Sequence, residues 1–200
     1  ERNVPSCVHP LSIPYTKKES QQHAQSFENL KILPLTHPAL IRYLHERCID
    51  MEVATAVCEE LHYDSNGKHY FGIGFSNDAG GWEIRSPYFK GCIAPKDISV
   101  FYANEPKKIC FLFEGFMDFL SFLSMKGEVT NQCLVMNSVS NVVRSIHYLN
   151  KRNITSVRAF LDNDDTGRKA VQEFVNAGFK VEDMAVYYKD FKDLNEYHVS

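Results

Sequence analysis

The stretch Ile109-Cys110-Phe111-Leu112-Phe113-Glu114-Gly115-Phe116-Met117-Asp118 decides the fold. A short apolar run with the length of a buried strand ends at a carboxylate. A glycine follows, and then a helix-forming segment with a second carboxylate. The same arrangement returns downstream, where Val157-Arg158-Ala159-Phe160-Leu161 runs into Asp162-Asn163-Asp164-Asp165-Thr166-Gly167. A third apolar run, Met184-Ala185-Val186-Tyr187-Tyr188, is read as a strand leading to Asp190 and Asp193. In an open parallel sheet, ligands bind at the carboxyl ends of the strands. Acidic side chains at such ends converge on one point, where they repel each other unless a hard cation neutralises them. Beside phosphates that cation is usually Mg²⁺. The pattern points to metal-assisted chemistry on a phosphate compound.

Outward from these segments the rhythm is regular. Strands are predicted at 109–113, 133–137, 157–161 and 181–188, and helices at 116–126, 140–151 and 167–177. Gly127 and Gly178 follow helices as C-terminal caps. Alternating strands and helices of this length imply an α/β domain whose parallel sheet is flanked by helices and joined by right-handed crossovers. Upstream the pattern is different. His37-Pro38 opens a helix with Leu40, Ile41 and Leu44 on one face and Thr36 as its N-cap. A second helix is predicted from Asp50, with Val53, Ala54, Val57, Cys58 and Leu61 as its apolar stripe. His69 to Phe75 and Trp82 to Arg85, on either side of Asn77-Asp78-Ala79-Gly80-Gly81, read as a hairpin. Further strands are expected near Tyr88 to Gly91 and Ser99 to Tyr102. The expected organisation is a tail over 1–26, a smaller α+β subdomain over 27–106 and the α/β domain over 107–200, divided at Glu105-Pro106.

Bulk properties narrow the function. With 200 residues, 44% hydrophobic and 24% charged, the composition is that of a globular protein. A formal net charge of -3 means that contact with a polyanion needs a local basic surface or metal ions. The six cysteines, at 7, 48, 58, 92, 110 and 133, form no CxxC pair, which suits reduced thiols in a cytoplasmic protein better than a disulfide frame. No apolar run reaches the length of a membrane span, and the first residues show no signal-peptide h-region. The first residue is Glu1 rather than Met, as in a piece of a longer protein. Cys7 and His9 lack partner ligands at zinc spacing and read as part of the tail.

Each acidic motif has a structural alternative. Asp118 in a first helical turn is favoured by the helix macrodipole, and a strand-tip Glu114 is simply solvated. Asp165 or Thr166 is positioned to cap the helix carrying Ala170, Val171 and Phe174. Capping does not account for Asp162 and Asp164 together, because an extended DxD aims both carboxylates to one side. Asp193 is equally an N-cap for the segment Leu194-Asn195-Glu196-Tyr197.

Taken together, EGxxD after one strand, DxDxxG after another and a late KDxN resemble the TOPRIM domain over 108–197. That domain is shared by bacterial-type primases, topoisomerases and certain nucleases. The region before it narrows the likeness. The helical lead-in, Phe71-Gly72-Ile73-Gly74-Phe75, Gly81-Trp82-Glu83-Ile84-Arg85, Tyr88-Phe89-Lys90-Gly91 and Pro95-Lys96-Asp97-Ile98 resemble DnaG-like primases of plasmids and mobile elements. Glu114 to Asp118 is close to the EGYMD of primases, and Met136-Asn137-Ser138-Val139-Ser140 falls at their small-residue strand-to-helix turn.

The resemblance implies a DNA primase core making RNA primers from NTPs on a single-stranded DNA template. Glu114 is then a general base or metal-linked carboxylate. Asp162 and Asp164 hold Mg²⁺ or Mn²⁺, with Asp118 and Asp193 assisting. Arg85, Lys90 and Lys96 are phosphate contacts for template or nucleotide, or else solvated surface cations. Tyr88, Phe89 and Trp82 are stacking platforms or hairpin core, the core being favoured for Trp82. A replicative helicase would bind through domains outside this sequence, since neither a zinc ribbon nor a helicase-binding region is visible. Asn163 and Asp165 depart from the usual DGDxAG, Asn163 standing where glycine is expected. The rival readings are a TOPRIM nuclease or topoisomerase fragment and a non-catalytic nucleic-acid-binding module of a mobile element.

Overall fold

The computed structural model of the chain describes residues 27–101, 108–127 and 129–200. The expected tail with its Cys7 and His9, Tyr102, and the Glu105-Pro106 boundary lie outside the described residues.

Two five-stranded sheets organise the chain. The first is an antiparallel meander of β1 (Glu28–Leu33), β2 (Cys58–Ser65), β3 (Lys68–Ser76), β4 (Trp82–Ser86) and β5 (Phe89–Ile93) in sequential order. Helices α1 (Pro38–Glu46) and α2 (Met51–Val57) fill the β1–β2 connection. The second sheet contains β6 (Ser99–Phe101), β7 (Ile109–Phe113), β8 (Gln132–Val135), β9 (Ser156–Phe160) and β10 (Lys180–Asp183) in the order β10-β9-β7-β8-β6. All its pairings are parallel except that of β6 with β8. Its helices are α3 (Phe116–Lys126), α4 (Val142–Lys151), α5 (Asp165–Asn176) and the terminal α6 (Leu194–Val199).

Strand β7 alternates between two cores. Phe111 and Phe113 face α3 and the first sheet, whereas Cys110 and Leu112 face the core containing Val142, Leu149, Ala170 and Phe174 of α4 and α5. A sheet buried on both faces explains why β7 reads as an unbroken apolar run. The two sheets share one core through their aromatic residues. Phe75 of β3 stacks on Phe116 at 5.0 Å, Phe113 lies 5.4 Å from Phe119, and Phe113 stacks on Phe160 at 5.0 Å.

The expected α/β sheet, its order of strands and helices, and the hairpin of β3 with β4 are present. Several local expectations are corrected. His37, not Thr36, caps α1, its ring nitrogen accepting from the Ala39 amide at 3.2 Å. Helix α2 stops at Val57, and Cys58 and Leu61 belong to β2, where pairing with β3 overrides the helical spacing. Strand β1 and the tight turn at Asn66-Gly67 carry no expected element. Met184–Tyr188 is a 3-10 helix rather than the end of a strand, because β10 stops at Asp183, whose side chain accepts from the Ala185 amide.

Candidate active site

Strands β7 and β9 are neighbours, but the chain leaves them in opposite directions, β7 towards β8 and β9 towards β10. Such a reversal opens a crevice at the carboxyl ends of the strands. Glu114 stands at the tip of β7 and Asp162 just past β9. The Asp162 amide donates to Glu114 Oε2 at 3.2 Å, tying the two tips together. Both residues line a cleft of about 190 Å³ with Asp118 of α3 and Asp193.

The carboxylates feel one another. Burial, then the negative charge of Asp162, pushes the Glu114 carboxyl up to about 7. Burial, then Asp193 and Asp162, pushes Asp118 up to about 8. Asp162 is raised by burial and by Asp193, with Lys192 opposing. Asp118 is only 8% exposed, and its Oδ1 accepts from the Asn195 amide at 3.2 Å.

The remaining acidic residues divide. Asp193 lines the cleft and also caps α6, accepting from the Glu196 amide at 2.8 Å. Asp164 is the N-cap of α5, its Oδ1 accepting from Thr166 and Gly167 amides at 2.8 and 2.9 Å. Capping thus falls to Asp164 rather than to Asp165 or Thr166, and Asp165 pairs instead with Arg168. Asp164 does not line the cleft, though its charge reaches Glu114 and Asp162. Asp190 is exposed.

The basic wall comes from the first sheet. Arg85 and Lys90 pair across β4 and β5 and line the same cleft as the carboxylates. Arg85 Nε donates to the Tyr43 hydroxyl at 3.2 Å, which fixes its direction. Lys96 is exposed and does not line this cleft. Trp82 packs against the small core of Leu61, Tyr63 and Ile84, as does Phe89, while Tyr88 is 98% exposed.

Sequence reasoning missed several cleft residues. Lys192 Nζ lies 3.6 Å from Asp162 Oδ2, and the carboxylates raise the pKa of its ammonium. Buried Asn195 is a hub. Its amide group donates to the Arg47 carbonyl at 3.1 Å and to Ser121 Oγ at 2.8 Å, while its Oδ1 accepts from Arg47 at 2.9 Å. Both lie in the late KDxN, so the signal was present without an assigned role. Glu83 and Asn137 line the same cleft from motifs that assigned them no role, and Arg47 lines it with no motif to mark it.

Two local features explain how the site is held. Asn163 has no left-handed backbone, so glycine is not required there. Its side-chain amide donates to the Tyr188 and Phe191 carbonyls at 2.8 and 2.9 Å, and its backbone amide to Lys192 at 2.7 Å, stapling the 188–192 loop to the tip of β9. Gly115 is extended, and a side chain there would meet only Asp118 Oδ2 at 3.6 Å, so the strand-to-helix turn does not require glycine. The essential glycine is Gly167, where a Cβ would come 2.1 Å from the Asp162 carbonyl oxygen.

Anionic oxygen donors in mutual repulsion are the kind of set that a hard divalent cation satisfies. Among the described residues, no three His, Cys, Asp or Glu side chains are gathered at the spacing of a metal's ligands. The donor chemistry fits such a cation, and the Lys192 ammonium supplies local neutralisation in this structure.

The comparisons agree with this architecture. The sequence model of the Toprim-like family matches residues 111–198, and that of a domain of unknown function, DUF8464, matches residues 29–94. No curated protein matches the sequence. The fold is similar to that of the primase fragment of the bacteriophage T7 primase-helicase protein, with a TM-score of 0.51 and 17% identity over 77% of this chain. The match covers 64% of that T7 chain, so this chain spans less than two thirds of it. It is also similar to a chain from a bacteriophage T7 assembly of lagging-strand DNA polymerase with primase domains bound to an RNA/DNA hybrid and dTTP. There the TM-score is 0.56 and the identity 16%, covering 86% of this chain and 87% of that one. The chain carries a Toprim-like domain over residues 111–198, in a fold similar to that of the T7 primase fragment.

Proposed function

We propose that the cleft is a nucleotidyl-transfer site and that the protein is the catalytic core of a DNA primase, making RNA primers from NTPs on single-stranded DNA. The observation that carries this is one cleft that Glu114, Asp118, Asp162 and Asp193, from three separate segments, share with Arg85 and Lys90 of another sheet. An acidic wall suits divalent cations, and a basic wall suits the phosphates those cations accompany.

Glu114 is the proposed general base. A carboxyl raised to about 7 is half ionised at neutral pH and can take the proton of a primer 3′-hydroxyl. The hydroxyl oxygen attacks the α-phosphorus of an incoming nucleotide, a new phosphodiester bond forms, and pyrophosphate leaves. Asp162 and Asp164, assisted by Asp118 and Asp193, would hold Mg²⁺ or Mn²⁺. When bound, the ions stabilise charge on the attacking and leaving oxygens. The free oxygen of the Asp164 cap is its proposed donor. Arg85 and Lys90 bind phosphates in the cleft, and Lys96 can only contribute from outside it.

A helicase partner, reached through domains outside this sequence, and a cytoplasmic location belong to the same proposal. Among the described residues, no helix is long and apolar enough to cross a membrane. The test is primer synthesis by the full-length protein on single-stranded DNA with Mg²⁺ or Mn²⁺. Asp162→Ala should abolish synthesis, and Glu114→Gln should lower it about 100-fold or more. Unchanged synthesis in both variants would refute the site. Nicking or relaxation of a supercoiled plasmid without ribonucleotides would instead favour a nuclease or topoisomerase.

A further inference from the structure

Two buried oxygen atoms in the cleft have no hydrogen-bond partner. Glu83 is 6% exposed and Asn137 is 5% exposed, and Glu83 Oε1 and Asn137 Oδ1 are both unpaired. Buried polar groups are almost always satisfied, and an exception calls for an explanation, a missing ligand being one. Both side chains line the same cleft as Glu114 and Asp162.

Their surroundings restrict what they can bind. On β4, Glu83 and Arg85 are two residues apart and so share a face of the sheet. Glu83 lies opposite Cys92 and Arg85 opposite Lys90, and the Cys92 thiol donates to the Ile93 carbonyl at 3.6 Å. Asn137 follows β8 with φ at 61°, a left-handed conformation that asparagine tolerates. Its amide nitrogen spends both hydrogens, on the Asp97 carbonyl and on Ser99 Oγ, each at 2.9 Å. Only its oxygen remains available. These two groups offer acceptors and no free donor.

We propose that Glu83 and Asn137 form a sugar-binding wall, accepting hydrogen bonds from the ribose hydroxyls of a ribonucleotide held in this cleft. This inference rests on the nucleotidyl-transfer function above. A base edge fits less well, since it presents donors beside acceptors and its acceptors would stay unpaired here. Sugar hydroxyls supply donors, and the sugar carries the group that reacts beside Glu114. A nucleotide lacking those hydroxyls leaves both buried oxygens unsatisfied, which is how a site built to hydrogen-bond a hydroxyl rejects the analogue without it.

The test is calorimetric binding of ATP and of 2′,3′-dideoxyadenosine triphosphate to the 200-residue chain with Mn²⁺ present. The wild type should bind ATP about tenfold tighter or more. Glu83→Ala and Asn137→Gly should each reduce that ratio severalfold while leaving dideoxynucleotide affinity unchanged, thermal denaturation reporting whether each variant folds. The nucleotide series on the wild type decides the matter even if a variant does not fold. Equal wild-type affinities, both lost in Asp162→Ala, would overturn the sugar wall and leave the nucleotide site standing. Equal weakening of both ligands in Glu83→Ala would overturn it too. If the wild type binds neither nucleotide, the nucleotidyl-transfer function and the sugar wall fail together.

Discussion

The Asp162 backbone amide donates to the Glu114 carboxylate at 3.2 Å, across the point where the second sheet reverses direction. This one bond joins the tips of β7 and β9, on which the two acidic motifs lie 48 residues apart. It aims Glu114 at the cleft while partly offsetting the repulsion from Asp162. The site's carboxylates therefore share one cleft and raise one another's pKa before any cation neutralises them, at a cost in stability that changes with pH.

That cost is measurable. Asp118 is buried, and its carboxyl is raised to about 8 in the fold from an ordinary value of 3.8. The folded state thus holds a proton that the unfolded chain releases. Stability from this group is fully present below the unfolded value and is lost as pH rises through the folded one. Glu114, raised to about 7, acts in the same direction. The metal-free protein should lose stability between about pH 4 and pH 8. Asp118→Asn keeps an acceptor for the Asn195 amide and should flatten the profile, raising stability at pH 9 by about 2 kcal/mol or more. Urea titrations across pH check this, and identical slopes for both proteins would contradict it.

Asn163 provides the staple for the acidic loop. Asn163→Ala leaves the Tyr188 and Phe191 carbonyls without their donor and should cost about 1–3 kcal/mol. Amide hydrogen exchange should rise at 189–193 more than in β7. Protection unchanged in that loop would show that the staple does not hold it.

Gly167 is required by close approach, not by backbone conformation. A Cβ placed 2.1 Å from the Asp162 carbonyl forces α5 away from the tip of β9. Gly167→Ala should destabilise by about 1–3 kcal/mol or more, while Gly115→Ala, which meets only an ordinary contact, should be far milder. Thermal denaturation of the two variants, compared directly, tests the contrast.

Lys192 acts as an internal counter-ion. Its side chain is 65% exposed, so its pair with Asp162 adds little to stability. Its charge, however, competes with any cation drawn to the same carboxylates. Lys192→Ala should change unfolding free energy by less than about 0.5 kcal/mol yet tighten Mn²⁺ binding by roughly fivefold. Weaker Mn²⁺ binding in the variant would mean that the lysine orders the site rather than competing for it.

Much of this arrangement was legible in the chain. The apolar run ending at Glu114 and the one ending at Leu161 are buried on both faces of a parallel sheet, so they read as continuous hydrophobic strands. The glycine-terminated helices between them fixed the alternation. Where short runs admit two periods, local pattern misled. Cys58 and Leu61 continue a helical stripe but are claimed by pairing with β3. Met184–Tyr188 is apolar enough for a strand, yet Asp183 caps a 3-10 turn instead. Strand β1 is exposed throughout, and its run Leu30-Lys31-Ile32-Leu33 is too short for its period to mark a strand.

The sequence by itself determined the alternating α/β order and the acidic residues at the strand ends, because strand burial and helix capping are local and leave periodic traces. Tertiary structure alone decided that β7 and β9 are neighbours, that Arg85 and Lys90 share a cleft with the carboxylates, and that Asn195 links Arg47 to Ser121. It also decided that Glu83 and Asn137 keep unpaired oxygens beside the reacting groups. Those facts depend on strand order and on the packing of one sheet against another, contacts between residues far apart in the chain whose partners no local spacing encodes.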